Sequence, residues 1–258
     1  MHLDVIDLHS FYYRTKLGRI AQRSLRERIT ALWPDTHGQT VAGFGFAGPM
    51  LRPFLDRSRR VMNLMPGAQG VMPWPEGGPN RSLMVEETRW PLATGSLDRL
   101  IVLHGLETCD RPGDLLNEIW RCLGPGGRAL FIVPARNGLW ARRDVTPFGF
   151  GRPYLVGQLE AQLRKHAFVP GQQMSALYSP PSHRGWVIRS ANVFENYGQR
   201  LALFAPAGAV MVEATKQVHA PTRPGLPEAV RQPLKALGGI TTGPGKPVRG
   251  RVHRERGA

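Results

Sequence analysis

From Thr40 to Thr215, short apolar runs alternate with segments of helical period, and this alternation constrains the fold more than any other feature. Thr40–Gly45, Arg60–Leu64, Arg81–Val85, Leu97–Leu103 and Arg128–Val133 read as strands. Asp114–Leu123 reads as an amphipathic helix with Leu115, Leu116, Ile119 and Leu123 on one side, ended by Gly124-Pro125-Gly126-Gly127. Tyr154–His166 reads as another helix, Phe168–Tyr178 and Gly208–Thr215 as a closing strand pair, and Gly185–Leu201 as a further helix. Strands that alternate with helices imply a mostly parallel sheet covered on both faces. The expected class is α/β: a seven-stranded, Rossmann-like sheet with an N-terminal helical extension and a disordered basic C-terminal tail.

Three regions follow: a helical extension at 1–36, the α/β domain at 37–216, and the tail at 217–258. In the extension, Ile20, Leu25, Ile29, Leu32 and Trp33 fall roughly on one helix face, and Arg19, Arg23 and Arg26 on another. The tail carries eight Lys/Arg against two Asp/Glu and six prolines, and holds six of the fifteen net positive charges. Such a segment has too few apolar residues to offset its ordering entropy, and its charge suits a nucleic acid or another anionic partner. Two cysteines, Cys109 and Cys122, exclude a disulfide scaffold and a cysteine-built zinc site, and no metal-ligand spacing appears. No run approaches the length of a membrane span, and the N-terminus lacks the order of a signal peptide, so a soluble, cytoplasmic protein is expected.

The first strand runs into Gly43-Phe44-Gly45-Phe46-Ala47-Gly48-Pro49, a glycine turn followed by a short helix to Leu55. Further on come Glu86-Glu87-Thr88-Arg89-Trp90-Pro91-Leu92, Ser96-Leu97-Asp98, His104-Gly105-Leu106-Glu107 and Arg121-Cys122-Leu123-Gly124-Pro125-Gly126-Gly127. In order and spacing these blocks resemble the class I S-adenosylmethionine-dependent methyltransferases, in their small-molecule-type branch. The resemblance spans Thr40 to Phe168, and the Arg121–Gly127 block is its most specific piece.

The resemblance implies S-adenosylmethionine as cofactor and a pocket at the carboxyl ends of the first strands, where open α/β sheets bind ligands. It assigns Gly43, Gly45 and Ala47 to the methionine part, Glu86 with Glu87 beside it to the adenine amine, and His104 to the lining of the transfer site. A bulky residue at Gly45 is expected to block the cofactor without disturbing the sheet. Two positions depart from the family: Val41 stands where an acidic residue is usual, and Met62-Asn63-Leu64-Met65-Pro66 lacks the carboxylate that pairs with the ribose hydroxyls. Asn63, Gln69 or backbone groups are the available substitutes.

After the fifth strand, a loop rich in arginine, glycine and aromatic residues offers Arg136, Asn137, Trp140 and Tyr154 as substrate contacts. Sulfonium methyl transfer needs positioning above all, and a base only for a weakly acidic acceptor; His104, Tyr154, Tyr178 and His183 are the candidates and none is assigned. Two readings stay open: a methyltransferase with an unidentified acceptor, and a catalytically degenerate domain that binds RNA, ribosomes or protein.

Overall fold

The computed structural model describes residues 3–142, 146–182, 189–190 and 207–218. The helix expected over 185–201 and nearly all of the basic tail lie outside the described residues. Within one compact unit, Met1–Val218, the described elements run as α1 (Val5–His9), a π-helical turn (Ser10–Arg14), α2 (Lys16–Leu32), β1 (Thr40–Gly45), α3 (Gly48–Leu51), β2 (Arg60–Pro66), β3 (Ser82–Val85), β4 (Leu97–Leu103), α4 (Pro112–Cys122), β5 (Leu123–Pro134), α5 (Val156–Lys165), β6 (Phe168–Ala176) and β7 (Ala209–Lys216).

The seven strands form one sheet in the order β3-β2-β1-β4-β5-β7-β6, parallel except for β7, which runs antiparallel to β5 and β6. From β1 the chain first builds outward through β2 and β3, then returns to build β4 and β5 on the other side. This reversal leaves a crevice outside the carboxyl ends of β1 and β4.

Both faces of the central strands are buried, so their side chains divide by alternation between two cores. Val41, Ile101, Leu130 and Ile132 face the N-terminal helices, where Leu17, Ala21, Leu25 and Ile29 of α2 fall at four-residue spacing. Ala42, Phe44, Leu100, Val102 and Phe131 face α4 and α5. Of the apolar face expected on this segment, Leu25, Ile29 and Trp33 are in the core and Leu32 packs against it, while Ile20 lies at its margin; Arg28 is buried as well, its guanidinium donating to the carbonyls of Ser175 and Ser24. Arg19 and Arg23 are exposed, while Arg26 turns inward to donate to the Pro49 carbonyl at 2.6 Å.

The Arg121 block has a structural role. The Arg121 guanidinium grips the Glu118 carboxylate at 2.7 and 2.8 Å and donates to the carbonyls of Trp90 and Leu92. Glu118 also accepts the Trp90 backbone N–H at 2.5 Å. One buried ion pair thus pins the Trp90-Pro91-Leu92 turn to α4. Helix α4 opens with Pro112 in its first turn and passes directly into β5, which begins at Leu123 rather than Arg128. The glycines of the GPGG stretch lie within the strand, Gly126 at φ +71, where β4 and β5 slip register between Leu97 and Arg99.

The hydrogen bonds from Arg121, and then the Trp90 N–H, hold the Glu118 carboxyl below the usual glutamate range against the opposing effect of burial. A depressed folded pKa gives stability that is present above the unfolded pKa and is lost as pH falls through the folded value. Glu118→Gln is expected to cost about 1.5–3 kcal/mol, a fall of roughly 2–4 °C in melting temperature per kcal/mol. The difference from wild type should be full at neutral pH and vanish below the ordinary glutamate range, as thermal melts across pH would show.

Candidate functional site

The crevice is built from four strand ends. At the end of β1, Gly45 adopts φ +80, and a Cβ there would lie 2.2 Å from the Leu103 carbonyl oxygen. The next residue, Phe46, donates its N–H to that same carbonyl at 2.8 Å. Gly43 is packed from the other side: its Cβ would meet the Ala47 methyl at 2.6 Å and Leu51 at 2.8 Å. Thus Gly43, Gly45 and Ala47 come together, and their small size is already required by the contact of β1 with α3 and β4. The expectation that a bulky residue at 45 would spare the sheet fails on this geometry, because the obstacle is backbone.

His104 follows β4 at φ +52, a left-handed conformation uncommon for a residue with a side chain, and it is completely buried. Its Nδ1 lies 3.0 Å from the Glu107 carboxylate, and its Nε2 lies 2.8 Å from the hydroxyl of Tyr12 in the N-terminal π turn. Tyr12 is fully enclosed as well, stacked on Phe46 at 5.7 Å, while Phe148 sets its edge against the imidazole at 4.8 Å. Burial, and then the Glu107 charge, push the Tyr12 phenol well above its ordinary pKa. A neutral phenol donates to Nε2, which leaves Nδ1–H to donate to Glu107. The His104 carbonyl accepts from the Gln69 side-chain amide at 2.9 Å and from Thr108 at 3.2 Å.

Two spaces lie beside these strand ends, and His104, Glu107 and Tyr12 line neither. The outer cleft, about 600 Å³, is lined by Gly67, Met84, Glu86, Glu87, Thr88 and Arg111. Glu86 is exposed there, and Glu87 contacts the Cys109 thiol, whose pKa is pushed up to about 12 by burial and then by that carboxylate. Cys109 is therefore a protonated, unreactive thiol. The inner pocket, only about 20 Å³, is bounded by His9, Tyr13, Phe46, Met65, Trp74 and Glu76. Trp74 lies over the glycine turn, so that a Cβ at Gly48 would touch its indole at 3.2 Å. Helix α1 is tied to the same loop by the Val5 N–H, which donates to the Gln69 carbonyl at 2.8 Å.

Three buried acceptor atoms around these spaces have no partner: Asn63 Oδ1, Gln69 Oε1 and Glu107 Oε2. These are three of the eight buried polar side-chain atoms without a partner among the described residues, and they are free to accept from donors outside the chain. Asn63 and Gln69 lie on or next to the segment that lacks the expected ribose carboxylate; Met65, near the end of β2, is wholly buried and apolar.

Of the remaining expected residues, Tyr154 is buried near Glu107; burial and that carboxylate raise its pKa to about 12, with Arg152 opposing. Arg136 and Asn137 are exposed, and the Arg136 guanidinium donates to the Pro153 carbonyl. Trp140 is a core residue: it is 1% exposed, donates to the Ser179 carbonyl at 2.7 Å and packs against Gly208. Tyr178 is buried, and His183 lies outside the described residues. Sequence reasoning missed Tyr12. The aromatic run Phe11-Tyr12-Tyr13 is its one local signal, and nothing in the sequence links it to His104.

Residues 43–131 match the family model described as a methyltransferase domain. Among solved structures, an S-adenosylmethionine-dependent, possible histamine N-methyltransferase from Thermotoga maritima shares 17% identity over 78% of this chain and 92% of its own, with a TM-score of 0.54. A putative methyltransferase of Haloferax volcanii, solved with its Trm112 activator, shares 15% over 83% and 98%, with a TM-score of 0.58. The cyclase SpnF shares 15% over 85% and 98%, at 0.52. At these identities the likeness is one of fold. No curated protein matches. Among the described residues, no helix is long and apolar enough to cross a membrane.

Gly45→Ala is expected to destabilise by about 2–4 kcal/mol, from left-handed strain plus a backbone clash, while Gly48→Ala, which meets only the Trp74 indole, should cost about 1 kcal/mol or less. Denaturant unfolding of the two variants checks the order, and equal stability would refute the account of the turn.

Proposed function

We propose that this chain, whose residues 43–131 match the methyltransferase-domain family model, is an S-adenosylmethionine-dependent methyltransferase. The observation that carries the reading is the set of buried acceptor atoms without a partner, Asn63 Oδ1, Gln69 Oε1 and Glu107 Oε2, together with the carboxylates of Glu86 and Glu87 at the outer cleft. The cofactor of that family offers donors that suit each of them: an exocyclic amine, two vicinal hydroxyls and an ammonium group. In this reading Glu86 and Glu87, at the outer cleft, accept from the adenine amine. Asn63 Oδ1 and Gln69 Oε1 accept from hydroxyl and ammonium groups in place of the missing carboxylate. Gly43, Gly45 and Ala47 shape the turn beneath, and His104 lies beside that turn.

When bound, S-adenosylmethionine supplies a methyl group already activated on a sulfonium. The chain's own residues then have modest tasks. Trp74, Phe46 and Tyr13 exclude water from the inner pocket, and its small volume requires that they, with the N-terminal segment, shift to admit a ligand. Tyr154, beside Glu107, and the exposed Arg136 and Asn137 are the proposed acceptor contacts; the buried Trp140 holds their loop in place.

A second reading rests on one specific observation: a 20 Å³ inner pocket beside a Met62–Pro66 segment without a carboxylate suits a domain that has given up catalysis. Such a domain would serve as a binding module, for which the net charge of +15 suits RNA or another anionic partner. Titration calorimetry with S-adenosylhomocysteine separates the two, since only the first reading expects binding. Glu86→Ala or Glu87→Ala should then weaken the affinity ten- to a hundredfold, the loss of a charge-assisted hydrogen bond of roughly 1.5–3 kcal/mol. Normal affinity in both single variants would refute the assignment of the adenine end.

A further inference from the structure

We infer that His104 and Glu107 form a general-base pair for an acceptor bearing an aromatic hydroxyl, and that the Tyr12 side chain holds that acceptor's place in the closed molecule. The inference rests on the methyl-transfer reading above and deepens it by naming the acceptor class.

The argument begins with what is buried. An imidazole and a carboxylate, each essentially without solvent exposure, lie 3.0 Å apart at the end of β4. Desolvating such a pair costs more than a packed apolar pair of the same size would, so its presence calls for a use. The structural Glu118 carboxylate accepts hydrogen bonds on both oxygens. Glu107 instead leaves Oε2 without a partner and uses Oε1 to orient the imidazole. Orientation by a carboxylate at Nδ1 leaves Nε2 as the free acceptor, the arrangement a base requires. His104 is held in left-handed backbone geometry to aim it, a strain of a kind that gathers at functional sites.

What faces Nε2 defines the acceptor. The atom 2.8 Å away is a phenolic hydroxyl, and its ring lies 18° from parallel with Phe46. Phe148 covers the far side of the imidazole edge-on. The slot is flat, apolar and closed to charge except for Glu107, whose negative end repels a carboxylate acceptor. Acidity narrows the choice among hydroxyls: a phenol gives up its proton far more readily than an aliphatic alcohol in the same surroundings. Tyr12 belongs to the short π-helical turn that follows α1, not to the sheet, so the element carrying it is separable from the base it covers.

In the step itself, the acceptor O–H gives its proton to His104 Nε2, and the oxygen lone pair forms the bond to the methyl carbon. The carbon–sulfur bond breaks with its electron pair left on sulfur, yielding an aryl methyl ether and S-adenosylhomocysteine. The imidazolium, stabilised by Glu107, then releases its proton to water. His104 is catalytic in this scheme, and Glu107 is a positioning residue.

The probe that tests it is p-cresol, which is the tyrosine side chain as a free molecule. The full chain is incubated with S-adenosylmethionine and p-cresol, and 4-methylanisole is measured by mass spectrometry for wild type, Tyr12→Ala and Tyr12→Leu. Tyr12→Ala should turn over at least about tenfold faster than wild type, because the slot is vacated; Tyr12→Leu, which also removes the ring but keeps apolar bulk in the N-terminal core, keeps the test decisive if the alanine variant fails to fold. In the Tyr12→Ala or Tyr12→Leu background, His104→Gln should lose roughly 10²–10⁴ in kcat with S-adenosylhomocysteine affinity retained. Glu107→Gln should lower kcat about tenfold or more and change the KM for p-cresol by less than about threefold, a split that a merely structural role would not give. Failure of S-adenosylhomocysteine to bind in calorimetry overturns the methyl-transfer reading as a whole. Binding without 4-methylanisole from either Tyr12 variant overturns only the acceptor and base assignment, as does preferred methylation of benzylamine over p-cresol, or turnover indifferent to His104→Gln.

Discussion

The approach of β1 to β4 at their carboxyl ends governs the rest of the molecule. Gly45 sits so near the Leu103 carbonyl that no side chain fits between them, and the Phe46 N–H closes the contact with a hydrogen bond. Because the strands meet this tightly, the chain leaving β4 must turn at once, and His104 takes the left-handed conformation that does so. The turn carries the imidazole into the protein rather than toward solvent, where Glu107, one helical-type step onward, can reach it. On the other side, the same contact sends Phe46 out over the crevice as a flat surface for Tyr12. One steric constraint between two strands thus places the base, its orienting carboxylate and the aromatic wall of the slot.

The blocks that carried the family resemblance divide into two kinds once seen in three dimensions. Arg121, Glu118 and the Trp90 turn are bound to one another and pin that turn to α4, beside the Glu87 carbonyl that accepts from the Trp90 indole. Asp98 likewise works at the amino ends of the strands, accepting the Thr40 N–H at 2.8 Å. These residues identify the fold strongly and carry no chemistry. Glu86, Gln69, His104 and Glu107 are the residues the proposed function uses. The match to the family model spans both kinds of residue, so it speaks for architecture without singling out the reaction.

The central strands were legible because a parallel strand buried on both faces reads as an unbroken apolar run; Thr40–Gly45 and Leu97–Leu103 match the observed bounds. The start of β5 was not, because Gly124-Pro125-Gly126-Gly127 has the composition of a turn, yet a register slip beside Leu97 lets it pair. The face of α2 was legible in Leu25, Ile29 and Trp33, but Arg28 beside it is buried through hydrogen bonds to carbonyls that no periodicity reveals. At the site, the glycines were found, but their stated reason was incomplete, since packing alone demands them. Tyr12 lies 92 residues from its hydrogen-bond partner, a pairing that only the folded N-terminal segment creates. Local pattern records what a segment buries, and it is silent about which distant side chain completes a site.

The closed crevice sets a thermodynamic condition on any ligand. Moving the Tyr12 segment aside breaks one buried hydrogen bond and uncovers the faces of Phe46 and His104, which together cost a few kcal/mol. An opening cost of about 2.8 kcal/mol lowers the apparent affinity about a hundredfold, since only the open fraction binds. A ligand that fills the inner pocket with aliphatic or charged groups leaves Nε2 without its donor and Phe46 without its stacking partner, and bears that cost in full. A flat ring with a hydroxyl restores both contacts as it enters, so much of the opening cost is returned. The same side chain that excludes most molecules therefore selects for those that resemble it, and Tyr12 acts as a specificity filter as well as a cover.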